Sequence, residues 1–177
     1  MKWLIPICAG WLLTVGLCAC PYCSSHGLDE SPGIYVEDAL IGSWTAQVKK
    51  TGEEKAYPLT MTLSKKTENE YNINFSGCTN LFKPYKVTDA DSLGGTAYMS
   101  TVDGRQFLNL TIQSRTYIAE LQFRNGLLSI LPLAEHFTSK MIFTSEALRN
   151  SVSLHYKSRV HPVYDDDFCL KNMVKRD

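Results

Sequence analysis

Two cysteines separated by a proline and a tyrosine, Cys20-Pro21-Tyr22-Cys23, form the first arrangement in the chain with chemical potential. In a dithiol of this spacing one thiolate attacks a disulfide and the second resolves the mixed product. That use requires the first cysteine at a helix N-terminus behind a strand, where its pKa falls. Here it follows a hydrophobic run and precedes Ser24-Ser25-His26-Gly27, a setting that does not supply that activation. Cys18, Cys20, Cys23 and His26 can be drawn as a metal cluster, but processing that removes Cys18 and modifies Cys20 would dismantle it.

Further along, His136, His155 and His161 are too scattered to make a metal site by spacing. Asp165-Asp166-Asp167 lacks the alternating oxygen ligands and glycine of a calcium loop and reads as a solvated acidic turn. Glu135 beside His136 offers an acid–base pair, with nothing in the sequence placing a nucleophile or substrate near it. The chain has no Gly-x-Ser-x-Gly elbow, no His-Glu-x-x-His helix and no phosphate-cradling glycine loop. The expectation is a protein that is not an enzyme, with no cofactor and no metal.

The elements that would position any site must come from 177 residues, a one-domain length, with 44% hydrophobic and 20% charged residues. Eighteen basic residues balance eighteen acidic ones, and no Lys/Arg cluster is dense enough to track a phosphate backbone. Nucleic acid is therefore not an expected partner.

Met1-Lys2 is followed by an uncharged run over residues 3–19 that ends Leu17-Cys18-Ala19-Cys20. With an aliphatic residue three before the cysteine and a small one just before it, this end resembles the cleavage box of bacterial lipoproteins; Cys18 departs from the usual small residue at the middle position. The resemblance implies a signal peptide over 1–19, fatty acylation of Cys20 with palmitate-type chains, and a domain held by its membrane anchor in the cell envelope, outside the cytoplasm. A plain secretory signal cut near Ala19, or an uncleaved membrane anchor, would place the domain on the same side. Residues 20–33 are rich in Ser, Gly and Pro and read as a lipidated N-terminus and flexible tether. Residues 34–177 are left as the folded domain.

In that domain residues 36–41 read as a short helical turn. Leu59, Met61 and Leu63 alternate with Thr60, Thr62 and Ser64, and Tyr71, Ile73 and Phe75 alternate with Asn72 and Asn74. Leu108, Leu110 and Ile112 do the same with Asn109 and Thr111, as do Tyr117, Ala119, Leu121 and Phe123 with Glu120, Gln122 and Arg124. Asp103-Gly104 and Asn125-Gly126 are hairpin signals. Residues 78–91 show no clean strand period. Leu148, Val152, His155 and Tyr156 recur at helical spacing, with Thr144 or Ser145 as cap. The end of the chain, with Phe168, Leu170 and Val174, suits a strand better than a helix. The pattern is mainly β: an antiparallel up-and-down meander of about eight strands with a C-terminal helix, which closure would relieve of edges.

This order resembles lipocalin-like (calycin) proteins, and Gly42-Ser43-Trp44 matches their Gly-x-Trp at the first strand. Some other β-rich fold with Trp44 as an ordinary core aromatic is the alternative. The resemblance implies that Gly42 permits a tight turn into the strand and that Trp44 packs across the closed barrel end under Lys171, Lys175 or Arg176. It also suits a disulfide between Cys78 and Cys169, since export permits disulfides and acylation of Cys20 leaves Cys23 in the tether; two free thiols are the other reading. Tyr71, Phe75, Tyr117 and Phe123 are candidate lining for a small apolar or amphipathic ligand, although filling a barrel requires such positions anyway. Three functions follow: a membrane-anchored module binding that ligand; a structural lipoprotein with a filled barrel docking an envelope protein; or an enzyme of unrecognised chemistry, which a cleft with Glu135, His136 or His161 beside a hydroxyl nucleophile would favour.

Overall fold

A computed structural model describes residues 21–49, 54–77, 91–135, 137–138, 141–158 and 164–176. The signal segment, Cys20, Cys78, His136 and His161 lie outside them. The strands are β1 (Cys23–Ser24), β2 (Gly42–Lys49), β3 (Ala56–Lys65), β4 (Tyr71–Ser76), β5 (Ser92–Val102), β6 (Arg105–Ile112), β7 (Arg115–Arg124), β8 (Leu127–Pro132) and β9 (Leu170–Arg176). One α-helix, α1 (Ser145–Ser158), stands among the described residues, with 3₁₀ turns at Asp38–Leu40 and Asp166–Phe168.

Strands β2 to β9 pair antiparallel in chain order, and β9 pairs with both β8 and β2, so the eight strands form a closed up-and-down barrel. Asp103-Gly104 (φ 49° and 76°) and Asn125-Gly126 (φ 53° and 76°) supply the two left-handed residues of a tight hairpin turn. The turn between β6 and β7 uses Gln113 and Ser114 in the same region (φ 49° and 65°) without any glycine. Thr144 Oγ1 accepts from Ala147 N at 3.1 Å and caps α1. Asp165 accepts from Asp167 N, so the acidic run opens one 3₁₀ turn before the closing strand.

One end of the barrel is closed by the chain leading into β2. Trp44 Nε1 donates to Leu40 O at 2.9 Å, and Tyr71 Oη accepts from Glu37 N at 2.7 Å. Lys175 is the basic residue over Trp44: its Nζ lies 5.5 Å from the ring centroid and donates to Ala39 O at 3.2 Å. Gly42 has φ 135°, a conformation that favours glycine, and a Cβ there would have to displace the end of the Lys175 side chain, 2.6 Å away.

A second apolar layer covers the outer face of β5 to β7. Leu28, Phe107, Ile118, Leu133, Phe137, Leu148 and Val152 form a buried cluster outside the barrel, with Tyr22, Ile142 and Tyr156 against it. Strands β6 and β7 are consequently buried on both faces at 107–110 and 118–121.

Residues 21–29, expected within a flexible tether over 20–33, instead lie packed on the barrel. Tyr22 N donates to Leu133 O at 2.8 Å, Pro21 bridges Ala134, and Cys23 and Ser24 pair with Tyr117 and Thr116. This pairing is available because the β8 ladder leaves β7 beyond Ala119 and Pro132. Leu28 is buried, and its N–H donates to Asn109 Oδ1 at 2.6 Å. A Cβ on Gly27 would fall 1.9 Å from Tyr98 Oη, so that glycine serves close approach and not looseness. Ser/Gly/Pro composition misleads here because small residues suit a backbone lying flat on a sheet as well as they suit a linker.

Leu28→Ala is expected to lower unfolding free energy by about 2–4 kcal/mol in urea titrations, the usual range for a buried leucine. A solvated tether would give a change within about 0.5 kcal/mol.

Candidate functional site

The barrel interior is the first place to look for a site. Trp44, Met61, Leu63, Tyr71, Met99, Leu108 and Met173 come from six strands and are each at most 1% exposed. Side chains around a water-sized void would present surface to it, and these present almost none. The inner face is thus filled by large side chains over the closed half of the barrel. Toward the other end Val48, Phe75, Leu93 and Ile112 are buried less completely.

The four candidate lining residues do not converge on one space. Tyr71 belongs to the closed end, where its hydroxyl also donates to Met99 Sδ at 3.5 Å. Phe123 lies at the same end but is 38% exposed, its ring edge-on to Trp44 at 5.9 Å, because β7 runs out to the rim there. Phe75 is buried and Tyr117 partly buried toward the opposite end, opposite Leu93 and Leu110 in register. Of the four, Tyr71 is the one that fills the closed end.

A polar constellation not singled out in the sequence lies on the outer face of β7, under the second layer. The Glu120 side chain is buried and both its oxygens are occupied. Tyr156 on α1 donates to Oε2 at 2.7 Å, Tyr164 donates to the same oxygen, and Gln122 donates to Oε1 at 2.9 Å. Arg105, half-exposed at the start of β6, reaches Oε1 at 3.2 Å while its guanidinium stacks 4.4 Å from the Tyr156 ring centroid. Burial by itself would raise the Glu120 pKa; the phenol and amide hydrogen bonds with the Arg105 charge outweigh it and hold the carboxyl below its ordinary range. Burial and the neighbouring carboxylate raise both phenols, Tyr164 to about 12. A carboxylate with filled lone pairs and a depressed pKa is a poor general base, and phenols this weakly acidic are poor acids near neutrality. The cluster braces α1 and the chain at Tyr164 onto β7. Its one sequence signal is the apolar character of Phe107 and Ile118 on the face Glu120 shares, a mark of covering.

His155 is buried on α1, edge-on to Phe137 at 5.9 Å, with Nε2 unpaired, and Asp165 Oδ2 is likewise unpaired. Burial raises the Asp165 pKa. Glu135 is exposed. Among the described residues no group of three His, Cys, Asp or Glu is arranged to hold a metal ion. Cys169 is a buried thiol whose pKa burial pushes up to about 12, and Cys23 is an exposed one.

No family model, curated protein or solved structure matches this chain. Its own geometry decides the architecture: a closed eight-stranded antiparallel up-and-down barrel with a Trp44–Lys175 closed end.

Glu120→Gln is expected to lower stability at neutral pH by about 1.5–3 kcal/mol, the scale of hydrogen bonds to a charged group. Because the folded pKa of Glu120 is depressed, its contribution is full above the ordinary glutamate range and is lost as pH falls through the folded value. Denaturation midpoints of the two proteins should therefore converge in acid. Iodoacetamide at neutral pH should label Cys23 and spare Cys169 in the folded protein, and denaturant without reductant should expose Cys169 to label; continued protection would show that it is bridged.

Proposed function

We propose that the protein is an exported, lipid-anchored envelope protein whose barrel is a solid scaffold that docks an envelope protein partner and does not carry a small apolar ligand. The filled closed half of the barrel supports this reading: an eight-stranded barrel is only just wide enough to hold a ligand, and inner side chains at most 1% exposed over that half leave no such volume there. The anchor half of the proposal rests on the uncharged run over 3–19 and the Leu17-Cys18-Ala19-Cys20 box. Two or three acyl chains on Cys20 would hold the protein stably where one would be marginal. The constellation around Glu120 supports a non-enzymatic role, since its groups are fully engaged with one another.

Native mass spectrometry of the full-length protein, extracted from membranes in detergent, tests both halves. The expected mass is the polypeptide from Cys20 onward plus its acyl groups and nothing more. A stoichiometric small molecule would overturn the scaffold in favour of a carrier. A chain whose lipid-precursor label survives Cys20→Ala would overturn the anchor assignment.

A further inference from the structure

We propose that the flank of the barrel carrying α1 and its preceding connection lies directly on the bilayer, with Met141, Phe143 and Leu154 seated in the boundary between headgroups and acyl chains. The inference rests on acylation of Cys20 and goes beyond it, because an anchor alone leaves a domain free to tumble on a tether. In this chain no slack is available. Consecutive Cα atoms are about 3.8 Å apart, and the residue after Cys20 is already buried and bridged to Ala134. The next residues continue the attachment through Tyr22 and the β1–β7 pair. Leu28 and the Asp29–Arg149 ion pair at 2.5 Å complete the clamp. A lipid-bearing Cys20 therefore brings the surface around Pro21 to the membrane.

Apolar side chains without cover lie on that flank. The Tyr22 ring meets Phe137 at 4.6 Å, Phe137 meets His155 at 5.9 Å, and Ile142 packs into the same cluster. Met141 and Phe143 on either side of Ile142 are 79% and 69% exposed, and Leu154, next to His155, is 56% exposed. These are three of the six large exposed hydrophobics among the described residues, gathered in 14 residues of chain. Seating them in lipid removes apolar surface from water. Among the described residues of this flank Arg149 is engaged with Asp29 and Lys157 with Asp103, so the contact proposed here is carried by apolar surface and is tested on zwitterionic lipid.

The test uses the full-length protein matured in cells, purified with its anchor and reconstituted into phosphatidylcholine vesicles brominated on the upper acyl chain. Phe143→Trp reports the proposed contact, and Met141→Trp repeats it at a second position. Ser64→Trp is the control, exposed on β3, which stands four strands from β7 in either direction around the barrel. Trp44 is buried and common to all three. Bromine should quench the Phe143→Trp and Met141→Trp emission at least about twofold more than that of Ser64→Trp, equally in low and high salt. Equal quenching at all three positions in protein whose mass shows acylated Cys20 would overturn this inference and leave the anchor standing. A mature chain without acyl groups would remove both.

Discussion

A sheet that meets itself has no free edge, and in this chain the meeting is made by the residues of β9, which pair with β2 on one side and β8 on the other. Everything inside depends on that closure. Without it, Leu63, Met61 and Leu59 on β3 would face water across from nothing; with it, they meet the inward rows of β6 to β8 and are buried. Closure also needs β9 to arrive in register after the long excursion through α1, and two contacts fix that arrival. The 3₁₀ turn Asp166–Phe168, held by Asp165, aims the chain into the strand, and Lys175 locks its far end over Trp44. A lysine whose ammonium lies over the aromatic ring and donates to Ala39 O joins the last strand to the residues that plug the barrel.

The excursion between β8 and β9 brings α1 back over strands already complete, and burial of polar outer positions follows. Asn109 and Glu120 occupy outward places on β6 and β7, where water would ordinarily satisfy them. Once covered they must be satisfied by protein. Asn109 accepts from Leu28 N and donates to Ser100 Oγ at 2.8 Å, while Glu120 collects two phenols, an amide and a guanidinium. Each network ties a different covering segment to the barrel, the N-terminal run in one case and α1 with Tyr164 in the other. Such directional bonds fix where the layer sits, which the apolar cluster of Phe107, Ile118, Leu148 and Val152 alone would leave free to slide.

Local pattern made the barrel legible. Period-two alternation marked β3, β4, β6 and β7, two Xaa-Gly pairs marked hairpins, and the spacing of Leu148, Val152 and His155 marked α1. Gly42-Ser43-Trp44 pointed to the closed end, where glycine and tryptophan both have a geometric reason. What local pattern could not carry was contact between distant segments. Glu120 and Gln122 read as solvent-facing because nothing near them in sequence says that Tyr156 and Tyr164 will arrive above. The Gln113-Ser114 turn has no glycine to announce its left-handed residues. Residues 21–29 have linker composition, and only Tyr22 and Leu28 in them are large and apolar; their burial follows from the exposed edge of β7 that β8 vacates.

That vacated edge links fold to placement. Because β8 leaves β7, an edge is open for β1, and because β1 fills it, the chain is immobilised one residue after Cys20. A domain so mounted would hold one face to the membrane and the opposite face away from it. Opposite β7 in the eight-strand cycle stands β3, whose outward residues Thr60, Thr62 and Ser64 lie in register with Thr45 and Ser43 on β2 and with Ser76, Asn74 and Asn72 on β4. This lattice is uncharged and built of short polar side chains. In the proposed orientation that lattice is the face turned away from the bilayer. The same topology that seats the barrel would thereby choose which of its faces is turned to water.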